Sequence, residues 1–105
     1  MSKEYIEQRE GGYYIVGKRI SLDSIVYAFR RGAAPESIQR SFPLLSLEEV
    51  YGAIAYYLAH QAEIDSYLMA EEREFSRALQ ADREAHPDWY EKIDRARQAA
   101  LLSRP

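Results

Sequence analysis

The segment from Gly32 to Val50, GAAPESIQRSFPLLSLEEV, constrains the fold more than any other part of the chain. Gly32, Pro35 and Pro43 each interrupt a helical pattern, yet the residues between them still favour helix. Pro35 suits the first position of a helix, where a missing N–H costs nothing. The residues that follow place Ile38 and Phe42 four apart, on one helical face. Pro43 disfavours helical geometry at Phe42 and ends the segment there. Ser46-Leu47-Glu48-Glu49 then has the pattern of a capping box, in which the Ser46 hydroxyl accepts from the amide at 49 and Glu49 reaches back. A short helix over 35–41, a tight turn at FPLL and a second, capped helix are expected, which is a helix-turn-helix arrangement.

The residues before Gly32 supply a third helix over 22–31. Ser21 is its candidate N-cap and Asp23 lies in its first turn. Ile25 and Phe29 share a face, and Arg30 and Arg31 fall in the last turn, where the helix dipole favours cations. Gly32 can take the left-handed conformation that closes the helix. Upstream, residues 4–7 and 13–16 are short β-prone runs separated by Gly11 and Gly12. Gly17-Lys18 has the Gly-X pattern of a type II′ hairpin, with Arg19-Ile20 returning as a third strand. A small β-ribbon beside three helices is expected.

After Ser46 no Gly or Pro except Gly52 appears until Pro87. Apolar residues recur at Val50, Ile54, Tyr57, Ile64, Leu68, Phe75 and Leu79, spaced as a heptad-like stripe with polar gaps at Gln61 and Glu71. An unbroken helix over 47–85 is roughly 58 Å long at about 1.5 Å per residue. A compact domain of about 100 residues is only roughly 35 Å across. The helix therefore breaks, with 60–66 the expected place, or its far half packs on another chain. A further helix over 88–102 follows Pro87, with Trp89, Ile93 and Ala96 on one side. The fold class expected is mainly α: a tri-helical helix-turn-helix core with a small N-terminal β-ribbon and a long C-terminal helical extension. Residues 1–60 form the ribbon and core, and 61–105 an interaction extension that is not an independent domain.

Composition narrows the function classes. The chain has 105 residues and no cysteine, so disulfides and thiolate metal sites are excluded. The first ten residues, MSKEYIEQRE, are charged throughout and unlike a signal peptide. No apolar run approaches the roughly 20 residues that span a bilayer. A cytoplasmic protein without a membrane partner is expected. The net charge of −3 argues against nonspecific coating of nucleic acid. Locally, however, Lys18, Arg19, Arg30, Arg31 and Arg40 outnumber Asp23 and Glu36, whereas residues 61–105 carry an acidic excess.

Residues 13–60, YYIVGKRISLDSIVYAFRRGAAPESIQRSFPLLSLEEVYGAIAYYLAH, resemble the domain-of-unknown-function family 433. The likeness is carried by Gly17, Arg19, Ile20, Gly32, Glu36, Ile38, Phe42, Pro43, Leu45, Ser46, Glu49, Val50 and Ala55, and covers about 13–68. Lys18 stands where the family commonly has Thr, and the family's Pro-containing lead into the turn is missing. The resemblance implies a prokaryotic helix-turn-helix protein similar to the antitoxin half of toxin–antitoxin pairs. Such antitoxins bind operator DNA through the folded part and block a PIN-like nuclease toxin with the C-terminal part.

Candidate DNA contacts are Lys18, Arg19, Arg40 and Tyr51. The cations could hold phosphates, while the supposed reading helix offers Tyr51, Gly52 and Tyr56 beside Glu48 and Glu49, and no Arg, Asn or Gln for a bidentate base contact. Arg30 and Arg31 can equally serve only their helix end. Candidate partner contacts are Ile64, Leu68, Phe75, Leu79 and Trp89, apolar groups on otherwise charged helices. A homodimer seam, a toxin groove or folding back onto the chain's own helices could cover them. Nine tyrosines divide between core and an aromatic partner surface. No catalytic constellation, cofactor or small-molecule substrate is expected. His60 and Glu63 could form one edge of a metal site, but no third ligand is apparent. The leading reading is an antitoxin-like, dimeric operon autorepressor. The alternative is a protein-binding adaptor of the same fold without DNA contact.

Overall fold

A computed structural model describes residues 3–103, as two β-strands followed by five α-helices. These residues divide into two compact units, with the boundary after Leu68. In the first unit, β1 (Ile6–Arg9) and β2 (Gly12–Ile15) pair antiparallel, with Ile6 opposite Ile15 and Arg9 opposite Gly12. Glu10 (φ 50°) and Gly11 (φ 78°) link them, and two positive φ values in a two-residue loop are what a type I′ hairpin requires. The tight hairpin is therefore here and not at Gly17-Lys18. Gly17 (φ 74°) occupies the third position of a turn closed by the Lys18 N–H donating to the Ile15 carbonyl at 2.9 Å, the type II pattern. The expected third strand shrinks to an Ile15 N–H to Ile20 carbonyl bond of 3.0 Å and a Tyr14–Ser21 bridge, because the next helix starts at once.

That helix, α1 (Leu22–Arg30), begins after Ser21. The Ser21 hydroxyl makes no capping bond and instead lies 3.3 Å from the Ser24 hydroxyl. The other end is a Schellman closure. Gly32 (φ 90°) donates to the Phe29 carbonyl at 3.0 Å, and Ala33 donates to Ala28 at 3.1 Å. Then come α2 (Pro35–Ser41), with Pro35 opening its first turn, and α3 (Leu47–Ala59). The turn between them is closed by the Leu45 N–H donating to the Phe42 carbonyl at 2.9 Å, and the Gln39 amide holds the Leu45 carbonyl at 3.1 Å. The capping box forms in full: the Glu49 N–H donates to Ser46 Oγ at 3.1 Å, and the Ser46 N–H donates to Glu49 Oε1 at 2.9 Å.

The long helix breaks at His60 (φ −126°, ψ 34°), the first residue of the expected window, and α4 (Gln61–Ala85) restarts immediately. The break serves packing. Tyr57, before it, and Ile64 and Leu68, after it, enter one core with Ile15, Leu22, Ile25, Ile38, Leu45, Val50 and Ile54. Ile64 and Leu68 are each 1% exposed. Burying a side chain of this kind contributes roughly 1.5–3 kcal/mol. Of the three possible covers for the stripe, its first two members take the chain's own helices. The first unit accordingly runs through Leu68 rather than stopping at 60.

The second unit holds the rest of α4 and α5 (Pro87–Leu102). Polar contacts join these two helices. The Tyr90 hydroxyl donates to Asp82, Arg83 pairs with Asp94 at 3.3 Å, and the Arg83 guanidinium lies 4.7 Å from the Tyr90 ring centre. No described residue after Leu68 is buried.

Candidate nucleic-acid and partner interfaces

The four candidate DNA residues are dispersed over three elements around the helix-turn-helix. Lys18 Nζ donates to the Leu44 carbonyl at 2.9 Å, which docks the 15–18 turn on the turn between α2 and α3. Arg19, beside it, is exposed and makes no ion pair among the described residues. Arg40, exposed on α2, donates to Ser37 Oγ at 3.0 Å. The Tyr51 hydroxyl, on α3, donates to Glu36 Oε1 at 2.9 Å. A backbone hydrogen bond and this one hold the Glu36 carboxyl below its ordinary range. Among the described residues no hydrogen bond or ion pair joins the four to one another. Arg30 serves another purpose: it pairs with Asp65, whose carboxylate also accepts from the Tyr57 hydroxyl at 2.7 Å. The end of α1 is thereby clasped to α3 and α4, and the Tyr57 and Arg30 hydrogen bonds keep the Asp65 carboxyl low.

The outward side of α3 is apolar. Leu47, Tyr51 and Leu58 are exposed on it, and Leu44 is exposed just ahead of it. Its two acidic residues are engaged rather than free. Glu49 serves the cap, while Glu48 accepts from Lys3 Nζ at 2.7 Å and from the Tyr5 hydroxyl at 2.5 Å. These donors hold the Glu48 carboxyl below its usual range. Tyr5 also lies flat against Gly52: a Cβ there would sit 2.3 Å from its Cγ. Residues 3–5 thus strap the first half of α3, a feature sequence reasoning missed. Gly52 is the signal that could have revealed it, since a glycine inside a helix costs about 1 kcal/mol relative to Ala and calls for a close neighbour. Beside the strap runs a groove of ≈ 960 Å³, bordered by residues 3–8 and by Gly52, Ala55, Tyr56, Ala59 and His60 of α3 and its end.

A second tie secures α4 to the hairpin. The Tyr13 hydroxyl donates to Glu63 Oε1 at 2.8 Å, and the Tyr13 ring meets Tyr67 edge-on, 5.0 Å between centres. Burial first, and then the bond to Glu63, push the Tyr13 phenol up to about 12. A raised folded-state value for a group that is neutral when protonated gives stability fully present below the ordinary phenol value and lost as pH rises through about 12. Urea midpoints should therefore fall between pH 9 and the folded-state value, and Tyr13→Phe should flatten that fall. An unchanged alkaline limb in Tyr13→Phe would contradict the assignment. Asp65 has the opposite sign: its lowered value contributes stability above the ordinary carboxylate range that is lost as pH falls.

The candidate partner residues separate into two groups. Ile64 and Leu68 are core and present nothing to a partner. Phe75 and Trp89 are 70% and 61% exposed, and Leu79 is half-buried. Met69, Leu101 and Leu102 are exposed in the same unit. The edge of a possible metal site is otherwise occupied, since His60 Nδ1 lies 2.9 Å from the Tyr56 carbonyl and Glu63 accepts from Tyr13. Among the described residues no group of three or more His, Asp or Glu could hold a metal ion, and no helix is long and apolar enough to cross a membrane.

A β-hairpin against three helices, the last two joined as a capped helix-turn-helix and sealed by the start of a fourth, defines the class: a small helix-turn-helix domain carrying a helical segment. Residues 6–57 match the family model described as Protein of unknown function (DUF433), and the chain belongs to this family. The matched stretch starts with β1 and ends at Tyr57, earlier at both ends than the likeness read from the sequence. No curated protein and no solved structure matches the chain.

Proposed function

We propose that this is an antitoxin-like helix-turn-helix protein, a dimer that holds operator DNA with its first unit and a partner protein with its second. One observation carries the partner half. The first unit completes its core at Leu68, and no described residue beyond it is fully buried, with Phe75 and Trp89 widely exposed. Helices of this kind gain most of their stability from packing an apolar face, and a covering chain supplies that packing. Family likeness, not geometry, points to a PIN-like nuclease as the occupant. The DNA half is supported by the capped α2–turn–α3 pair with Lys18, Arg19 and Arg40 around it, where phosphates would be held without base-specific contacts.

A shift assay on the DNA upstream of the coding sequence, run as a salt series, tests this. Binding should weaken steeply with salt, and Arg19→Ala should lower the slope of log K against log[salt] by about one. No shift at low salt, even with the partner protein added, would remove the DNA role. The second reading, an adaptor without DNA contact, is favoured by the outward face of α3. That face carries Leu47, Tyr51 and Leu58, no bidentate base reader, and the strap of residues 3–5 beside it. On that reading the shift fails while partner capture persists.

A further inference from the structure

β1 is the outer strand of a two-stranded sheet. The far side of β2 is closed by the Tyr14–Ser21 bridge and the bond from Ile15 to Ile20. The far side of β1 forms no backbone hydrogen bond among the described residues. That side borders the ≈ 960 Å³ groove, which is lined by every residue from Lys3 to Gln8. Successive residues of a strand point to opposite faces, so a groove touching all of them runs along the backbone edge. Its opposite wall is made by Gly52, Ala55, Tyr56, Ala59 and His60 of α3 and its end.

We propose that this edge pairs antiparallel with β1 of a second copy, about a two-fold axis at Gln8, to give a continuous four-stranded sheet. The proposal deepens the dimeric part of the function above and rests on it, but requires neither DNA nor toxin. Charge selects the register. Residues opposite one another in an antiparallel pair lie on the same face, so the axis of a symmetric pair passes at a residue and not between two. An axis at Ile6 sets Lys3 opposite Arg9 of the other copy. At Glu7 it sets Glu4 opposite Glu10, and at Arg9 it sets Arg9 opposite itself. At Gln8 it sets Glu7 of each copy opposite Arg9 of the other, and no like charges meet. Opposite charges across a strand pair stabilise it and like charges destabilise it. Within one chain Glu7 already holds Arg9 Nε at 2.8 Å, so the two copies would join their pairs into a four-charge cluster.

Light scattering on the full chain tests this through charge reversal. The wild type should run at twice its 12.2 kDa chain mass. Glu7→Arg and Arg9→Glu, each alone, should weaken self-association by about tenfold or more. An equimolar mixture of the two variants should regain the dimer, as should the double variant. Mixing repairs neither fold, so recovery on mixing reports the contact between copies. A monomeric wild type overturns both this proposal and the dimeric reading. Single variants that stay dimeric, or a mixture that stays monomeric, overturn the edge pairing and leave a dimer through another surface.

Discussion

Leu68→Ala should lower the stability of the first unit by about 2–5 kcal/mol, the range for emptying a buried leucine site. Leu68 is 1% exposed in a core shared with the hairpin and the first three helices, so its loss leaves a cavity that those elements cannot readily close. Phe75→Ala, nearly two turns further along the same helix, should leave stability within about 0.5 kcal/mol, because its ring is 70% exposed. Urea unfolding of the two variants measures both values. The contrast matters because the two residues belong to one stripe by spacing. If Phe75→Ala proves as costly as Leu68→Ala in the isolated chain, the core does not end where the structure places it.

Gly52→Ala should destabilise, against the usual direction for a helix interior. Ala is the better helix former by about 1 kcal/mol. Here, however, the added methyl would lie 2.3 Å from Tyr5 Cγ and 2.4 Å from a ring Cδ, close to where the ring joins its own backbone. The strap must move as a whole. Crowding of this kind costs about 1–3 kcal/mol, which offsets the helix gain and leaves a net loss of up to about 2 kcal/mol. The hydroxyl bond from Tyr5 to Glu48 goes with it, and the Glu48 carboxyl, which Lys3 and Tyr5 hold low, should rise toward its ordinary value in an NMR titration. In a Tyr5→Ala background the sign should reverse, since only the helix preference remains. A Gly52→Ala variant as stable as the wild type, with an unchanged Glu48 titration, would remove the strap from the account.

Local chemistry was the legible part of the fold. Gly32, Pro35, Pro43 and the Ser46–Glu49 box each act within a few residues, and the helices start and stop where those signals fall. The ribbon was less clear, because Gly11 and Gly17 compete for the tight turn. The winning loop places Glu10, not a glycine, at a positive φ, which residue type alone does not announce. His60 ends a helix without Gly or Pro, because the packing of Ile64 demands it, and packing is nonlocal. The same limit explains the candidate sites. Spacing showed that Ile64, Leu68 and Phe75 share a stripe, but only the fold says which of them is covered. Arg30 looked like any terminal cation until Asp65 was brought to it, and Tyr5 meets Gly52 from the other end of the domain.

Amide hydrogen exchange on the purified full chain tests the central claim most directly, because protection reports which segments are held by packing. Strong protection is predicted from β1 through Leu68, and weak protection through the remainder of α4 and all of α5 until a partner protein is added. Equal protection on both sides of Leu68 in the isolated chain would contradict it.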